Sequence, residues 1–581
     1  MTDKPKHAAF STMSQPGKQD ERSNISVHFG ISEEEKVAVQ NRGKKVLMAL
    51  QKLGINTKKS PIVSVLVSGG GLRATIACQG VLTELSHLGI LDMVTYLAGV
   101  SGSTWCMASL YTQSDDGWED LQKAEVELQR RLREGSWKTF VALDGLCKAA
   151  ERDDYSLTDF WSYSFVYFFT KELINTRLSQ VRLQSEMGTV PYPIFAAIEE
   201  NLKIGEKEKT QHAWFEFTPD WAGYSTLGYS EPGTYVSTTY CGSKFEGGKL
   251  IQQEPERDLS YLRALCSSVL ADKDAMLQGI MDFFKKLTHH SRTQASFLIT
   301  EPDAGVTLKD IIEELFNLII TFLTDGDCLP HLESLQFTMS GDENFVEAAA
   351  FVAEIIEQLS KTNKDEQNQL FQVLLLKTWI KDLVEKSRVS SYLKFLWKTN
   401  QCLLTWTWGT MKNFMYKYGD IEAKHLTHVK NLHLMDAGLA INSAYPLVLP
   451  PVRNSDIILS FDFSEDPFMT ITETEKYCKS CNIPFPPVDK DRLKQDADAP
   501  WDCYVFEGEK GPVVMHFPLF NRVNCGSAEV IEKKWQTYET FRFRDYSDDE
   551  VIQLLEDSKL NVRENKDRIL AKISELSKAT S

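Results

Sequence analysis

Ile62-Val63-Ser64-Val65-Leu66-Val67-Ser68-Gly69-Gly70-Gly71-Leu72-Arg73-Ala74 is the stretch that decides the fold. Its β-branched run is too short for a helix and apolar enough for a strand buried on both faces, and it stops at a serine and three glycines. From about Leu72 to Leu88 the spacing of Ile76, Ala77, Val81, Leu82 and Leu85 predicts a helix with an inward apolar stripe, ended by Gly89. The pattern then repeats, with Val94 to Ala98 as strand, Gly99 to Ser103 as turn and Thr104 to Tyr111 as helix. Two such units in tandem predict an α/β fold with a mostly parallel central sheet flanked by helices.

Upstream, Ser32 and Glu35 have capping-box spacing, and Val39, Val46, Leu47, Leu50 and Leu53 follow on one helical face until Gly54. Residues 1–30 read as a disordered tail; the start carries no apolar core, which argues against a signal peptide or transit helix. Downstream, about 223–430 is dominated by helical patterns such as Leu308 to Leu323 and Val346 to Leu359, and reads as a cap or lid inserted in a catalytic domain of 31–581. Strand character returns at Leu432 to Met435, Ile457 to Phe463 and Val513 to Phe517.

Of the 581 residues 42% are hydrophobic and 25% charged, enough to bury a large core. The net charge of -17 opposes nucleic acid, and none is expected as a partner. Membrane contact would have to come from apolar side chains and local basic spots, such as Lys285, Lys286 and Arg292, or Lys394 and Lys398 around Trp397, although a solvated surface is the commoner reading of each. No apolar run approaches the roughly 18 residues of a spanning helix; Trp161 to Phe169 and Leu315 to Leu323 are the nearest. Eleven cysteines, an odd number without a secretory signal, suggest reduced thiols in the cytoplasm. Cys478 and Cys481 form a CxxC pair without a second pair or neighbouring histidines, so neither metal nor cofactor is expected.

Gly99-Val100-Ser101-Gly102-Ser103 sits where a strand turns into a helix, the context of a nucleophile elbow, although Ser103 stands where glycine is usual. Gly69 to Gly71 offer backbone N–H groups at a helix start that suit a developing oxyanion. Arg73 opposes the dipole of that helix, so an anion such as a phosphate is expected near it. The same loop also fits G-x-G-x-x-A, but the second strand ends in Gly99-Val100-Ser101 rather than in the acid that a dinucleotide ribose needs. Asp436 follows Leu432 to Met435 and precedes Ala437-Gly438, a strand end suited to a base, though alone it would pass for a turn aspartate. His516 is the one histidine in the right chain order for a Ser-His-Asp alternative, and like His433 it reads more simply as a core or surface residue.

Ser68 to Ala74, Gly99 to Ser103, Asp436-Ala-Gly-Leu439 and Ile458 to Ser464 resemble, in order, the motifs of the cytosolic phospholipase A2 (group IV) catalytic domain, most of all its gamma form, which lacks a C2 domain. Ser156 to Trp161, Pro191-Tyr-Pro193 and Gly242 to Phe245 extend the likeness over nearly everything after residue 32. The resemblance implies a patatin-like fold, a Ser101–Asp436 dyad, an oxyanion hole at Gly70 and Gly71, and substrate-phosphate or charge-balancing roles for Arg73 and Arg453. It further implies hydrolysis of the sn-2 fatty acyl ester of glycerophospholipids, activity on lysophospholipids and acyl transfer, by a cytoplasmic protein peripherally associated with intracellular membranes. A C2 sandwich does not fit before Ile62, so calcium is expected to be dispensable. The chain ends Lys578 to Ser581 with its last cysteine at Cys525, so anchoring through a C-terminal prenyl group is not expected. The rival reading is a catalytically idle lipid-binding or adaptor protein on the same fold, against which the intact Ser101, Asp436 and glycine loop argue.

Overall fold

Val63–Val67 (β2) is buried at every position. It pairs in parallel with Tyr96–Gly99 (β3) on one side and with Ile457–Asp462 (β12) on the other. In this computed structural model the described residues are 23–579, except 113–115, 200–213, 226–231, 269–276, 278, 281–282, 284–305, 325, 342–344, 360, 363–365, 367–369, 371–390, 422–423, 451 and 541–544. Tyr192–Glu199 (β4) joins β3, and Val513–Pro518 (β14) joins β12, both in parallel. These five strands are the parallel centre of the sheet, in the order β4-β3-β2-β12-β14.

The flanks run antiparallel, so the sheet is mixed rather than mostly parallel. Trp214–Phe217 (β5), Trp221–Tyr224 (β6), Gly233–Ser237 (β7) and Ser26–His28 (β1) extend it beyond β4, and Tyr504–Phe506 (β13) closes the far edge on β14. From β4 to β7 successive strands reverse direction, which needs no crossover helix. Lys244–Glu246 (β8) and Lys249–Gln252 (β9) form a separate hairpin. Thr410–Lys412 (β10) pairs with Asn431–Asp436 (β11), and β11 pairs antiparallel with β4.

Two boundaries differ from the sequence reading. Residues 26–28 pair with β7 and so belong to the sheet, not to a tail. The range 223–430 opens with strands, and among the described residues its helices of more than ten residues are Val306–Leu323, Leu329–Ser340, Val346–Leu359 and Ser391–Thr405. Strands of three to five residues carry too few alternations to announce themselves beside long amphipathic runs.

Helix Glu33–Lys52 (α1) starts at Ser32, whose hydroxyl accepts from the Glu35 amide at 3.1 Å. Helix Gly71–His87 (α2) is buried from Leu72 to Leu85, with the helices Asp548–Glu564 and Leu121–Glu134 packed against it. Gly102–Leu110 (α3) packs beside it. Among the described residues no helix is long and apolar enough to cross a membrane. Of the basic spots, Lys285, Lys286 and Arg292 lie outside the described residues. Trp397 is buried in the core, Lys394 pairs with Glu151 at 2.7 Å and Lys398 donates to the Arg152 carbonyl, so this group does not form a free basic-aromatic patch.

Candidate active site

The position of Asp436 follows from strand register. β3 pairs with β4 only as far as Gly99 opposite Phe195, while Asp436 of β11 lies opposite Ala197. β5 covers the other edge of β4 from Phe195 to Ile198, so β11 occupies the lane that β3 vacates, running toward it. Gly99 and Asp436 are thus two β4 residues apart, about 7 Å at roughly 3.3 Å per residue. The turn that leaves β3 meets the end of β11 head-on.

That turn carries Ser101 at φ 52 and ψ -127, a conformation that costs a side-chain-bearing residue on the order of 1–3 kcal/mol. Close packing holds it there. A Cβ on Gly69 would lie 2.6 Å from the Ser101 Cβ, and one on Gly102 would lie 2.0 Å from the Gly71 carbonyl oxygen, so both loops require glycine for contact. Ser103 donates to the Ser68 carbonyl at 2.6 Å, which explains why serine stands there: its hydroxyl ties the elbow to the glycine loop. Thr75 donates to the carbonyls of Gly71 (3.0 Å) and Gly102 (2.8 Å), a second tie.

Gly70 and Gly71 both have positive φ, at 147 and 56, at the start of α2. The Gly69 amide is spent on Asn442, whereas among the described residues no hydrogen bond occupies the amides of Gly70 and Gly71. They are therefore free to bind an oxyanion at a helix N-terminus.

Asp436 is fully buried. One carboxylate oxygen accepts from the Gly438 amide at 2.7 Å, and the other has no hydrogen-bond partner. Burial pushes its pKa up to about 7, opposed by the nearby Ser101 hydroxyl and the Gly438 amide. The serine approaches closely enough to favour the charged carboxylate, although the pair stops short of a fully formed hydrogen bond. Cys266, also buried, is near enough for the Asp436 charge to push its thiol up further.

Arg73 is buried, with Nε donating to the Phe463 carbonyl at 3.0 Å and Nη1 to the Tyr538 carbonyl at 2.6 Å. Its guanidinium stacks on Trp535 and its Nη2 lies against Gly70, while burial lowers its pKa to about 10. It thus borders the glycine loop with two of its five N–H donors bound to backbone carbonyls.

Arg453 is not at this site. Its five N–H donors go to Glu35, Glu216 and the Leu447 carbonyl, with Nε to Glu35 at 2.6 Å and Nη1 to Glu216 at 2.7 Å. It stacks near Tyr96, the first residue of β3, whereas Ser101 follows the last, so the two residues are at opposite ends of the strand. A buried guanidinium must be neutralised, and here two buried carboxylates do so; the substrate-binding expectation is therefore corrected to a structural one. His516 also stays away: it is on β14, three strands from β3, about 14 Å at roughly 4.8 Å per strand, and its Nε2 meets the Pro467 carbonyl at 2.6 Å. His433 meets the Trp408 carbonyl.

Asn442 is the site residue that sequence reasoning missed. Its side chain accepts from the Gly69 amide (3.1 Å) and donates to the Gly69 carbonyl (3.2 Å) and Ser464 (2.7 Å). Behind the loop, Ser68 donates to Asp462 at 3.1 Å and accepts from the Phe463 amide. No spacing rule marks an asparagine six residues past Asp436, because its partner is 373 residues away.

A hydroxyl, a buried carboxylate and two unspent amides at one point define the chemistry of an acyl hydrolase. Residues 63–261 match the lysophospholipase catalytic domain family. Cytosolic phospholipase A2 gamma of Mus musculus is 42% identical over 555 residues, 94% of this chain and 91% of that protein. The gamma form of Homo sapiens is 42% identical over 554 residues, 95% and 96%. Among solved structures, human GIVD cytosolic phospholipase A2 aligns with a TM-score of 0.64 at 22% identity, covering 97% of this chain and 67% of that one. Its complex with methyl gamma-linolenyl fluorophosphonate gives 0.61 at 21%, covering 97% and 66%. The chain belongs to the cytosolic phospholipase A2 family, and its enzymatic class is phospholipase A2 and lysophospholipase, with glycerophospholipids as substrates.

Two outcomes test the geometry. Asn442→Ala is expected to lower kcat by about 10- to 100-fold with KM little changed, since it loosens the amides and leaves the lipid pocket alone. Arg453→Ala is expected to destabilise the protein by about 3–5 kcal/mol in denaturant unfolding, by leaving two buried carboxylates without their cation. A folded Arg453→Ala protein with normal stability and a raised KM would restore a substrate-binding role.

Proposed function

We propose that this enzyme hydrolyses the sn-2 acyl ester of glycerophospholipids without calcium, through an acyl-Ser101 intermediate. The observation that carries the reading is a serine in a strained elbow beside a buried carboxylate whose pKa is raised to about 7. A base poised near the operating pH combines the ionised form with enough basicity to take a proton. Ser101 Oγ attacks the ester carbonyl carbon while Asp436 accepts its proton. The Gly70 and Gly71 amides hold the oxyanion, and Arg73 stiffens their loop.

Collapse of the tetrahedral intermediate breaks the bond to the glycerol oxygen, which leaves with the proton from Asp436. An alkoxide leaving group needs less help from an acid than an amine does, so two residues suffice where proteases use three. Water activated by Asp436 then attacks acyl-Ser101 and releases the fatty acid. Lysophospholipids fit the same steps, and an alcohol of a second lipid in place of water would give acyl transfer. In this reading the enzyme works in the cytoplasm, peripherally at intracellular membranes.

A fluorophosphonate is expected to label the protein at one serine and to lose the label in Ser101→Ala, with turnover of position-labelled phospholipid unchanged by a calcium chelator. Turnover that vanishes with chelation would remove the calcium-independent reading.

The pH dependence has a defined sign. Activity on the acid side is expected to be half-maximal near pH 7 and to fall tenfold per unit below it, as Asp436 protonates. Because the folded pKa is raised, the folded protein holds a proton that the unfolded chain has lost, and stability falls as pH rises from about 4 to 7, by up to about 4 kcal/mol. Asp436→Asn should therefore abolish turnover yet match or exceed the parent Tm at pH 8; near-normal turnover would exclude the dyad.

A further inference from the structure

Ile458 to Ser464 runs along β12 into the turn after it, and none of its atoms takes part in the proposed bond changes. Its last three residues nevertheless hold the side chains that hold the glycine loop. The ladder between β2 and β12 ends with the Ser68 amide donating to the Phe461 carbonyl at 3.1 Å, so Asp462 is carried to the point where β2 becomes that loop. There its carboxylate is buried.

Oδ1 of Asp462 accepts from the Ser68 hydroxyl (3.1 Å) and the Ser464 amide (2.9 Å). Oδ2 accepts from the hydroxyl of Thr470, on the helix Met469–Ser480, and lies 3.8 Å from His516 Nε2. An ionised carboxylate only accepts, so the Ser68 and Thr470 hydroxyl protons have one direction in which to point.

Three routes lead from this carboxylate to the loop. With its proton committed to Asp462, Ser68 Oγ is left to accept the Phe463 amide at 2.7 Å, while the Ser68 carbonyl takes the Ser103 hydroxyl at 2.6 Å. Ser464, fixed by its amide, accepts from Asn442 Nδ2 at 2.7 Å, and Asn442 binds both the amide and the carbonyl of Gly69. Phe463, between the two, offers its carbonyl to Arg73 Nε at 3.0 Å, and the Asp462 charge is one of those that oppose the lowering of the Arg73 pKa by burial. Among the described residues Asp462 has no hydrogen bond to Ser101 or to the Gly70 and Gly71 amides, so these routes are its access to the reaction.

We propose that Asp462 is a positioning residue for the attack of Ser101, one that fixes the direction of the Gly70 and Gly71 amides by holding Ser68, Ser464 and the carbonyl partner of Arg73. The inference rests on the reading of those two amides as the oxyanion hole. Asp462→Asn keeps the size of the side chain but puts a donor where one oxygen accepts. In the full-length protein, with active molecules counted by exhaustive fluorophosphonate labelling, it is expected to lower kcat on monomeric lysophospholipid roughly 10- to 100-fold with KM within about twofold. The acid limb of the pH profile, set by Asp436, is expected to stay near pH 7. Combined with Asn442→Ala, the loss is expected to be smaller than the product of the two single losses, because both side chains act on Gly69. Ser68→Ala and Ser464→Ala keep the carboxylate, each remove one tie, and are expected to lose about 3- to 10-fold in kcat apiece.

The proposal is overturned by a kcat within twofold of the parent in Asp462→Asn or, where that chain does not fold, in both serine variants. A loss confined to KM, a displaced acid limb, or losses that multiply with Asn442→Ala would also overturn it. Ser101→Ala is assayed beside these variants. Turnover surviving there removes the acyl-serine reading and this inference with it, whereas turnover abolished there and normal in Asp462→Asn removes the inference alone.

Discussion

Desolvation of one carboxylate is the constraint on which the site depends. Asp436 ends β11 in the lane that β3 leaves open, with β4 along its flank and the elbow in front of it. Water is excluded from it, one oxygen is served by the Gly438 amide and the other by nothing permanent. A carboxylate in that position holds its proton tightly, and the Ser101 hydroxyl and the Gly438 amide are what relieve it. In the proposed mechanism the cost of burying the acid is converted into basicity directed at one hydroxyl, and folding has to supply that cost from elsewhere in the sheet.

The surrounding contacts act as one device. The strained dihedrals at Ser101 persist because Gly69 and Gly102 touch the opposite loop at distances no side chain would permit, and because Ser103 and Thr75 bind that loop's carbonyls. Asn442 holds Gly69 by both its amide and its carbonyl, and among the described residues the next two amides have no partner. Arg73 braces the same turn from below through the carbonyls of Phe463 and Tyr538. Each of these side chains binds backbone, so what they fix is the direction of N–H groups, the property on which the proposed oxyanion binding depends.

How much of this was legible in the sequence depends on whether a signal is local. β2, β3 and the helices after them announce themselves by apolar run and period, and the glycine and serine turns lie where those runs stop. The antiparallel flank was not legible, because β5 to β7 are four or five residues each and carry no helix-sized period. Asp436 could be recognised as a strand-end acid, but not that its strand would enter from the opposite direction. Arg453 misled for the same reason: a cation in a coil shows no partner, and Glu35, which looked like half of a capping box, sends its side chain to Arg453 instead. The Ser32 half of that box does form.

β3 and β11 share no ladder, so nothing in either strand sets the distance between them; both take their position from β4. A slip of one residue along β4 would move Asp436 by roughly 3.3 Å and turn its side chain to the other face of the sheet. The register therefore has to be fixed far from the elbow. At the other end of β3, Arg453 draws together Glu35 of α1 and Glu216 of β5, and β5 is the strand that lines the opposite edge of β4. A buried, fully paired guanidinium is a poor source of net stability, but it penalises every arrangement that leaves one of its carboxylates alone. The role that fits Arg453 is to make the shifted registers costly, so that two strand ends that never bond to each other still meet at the same place.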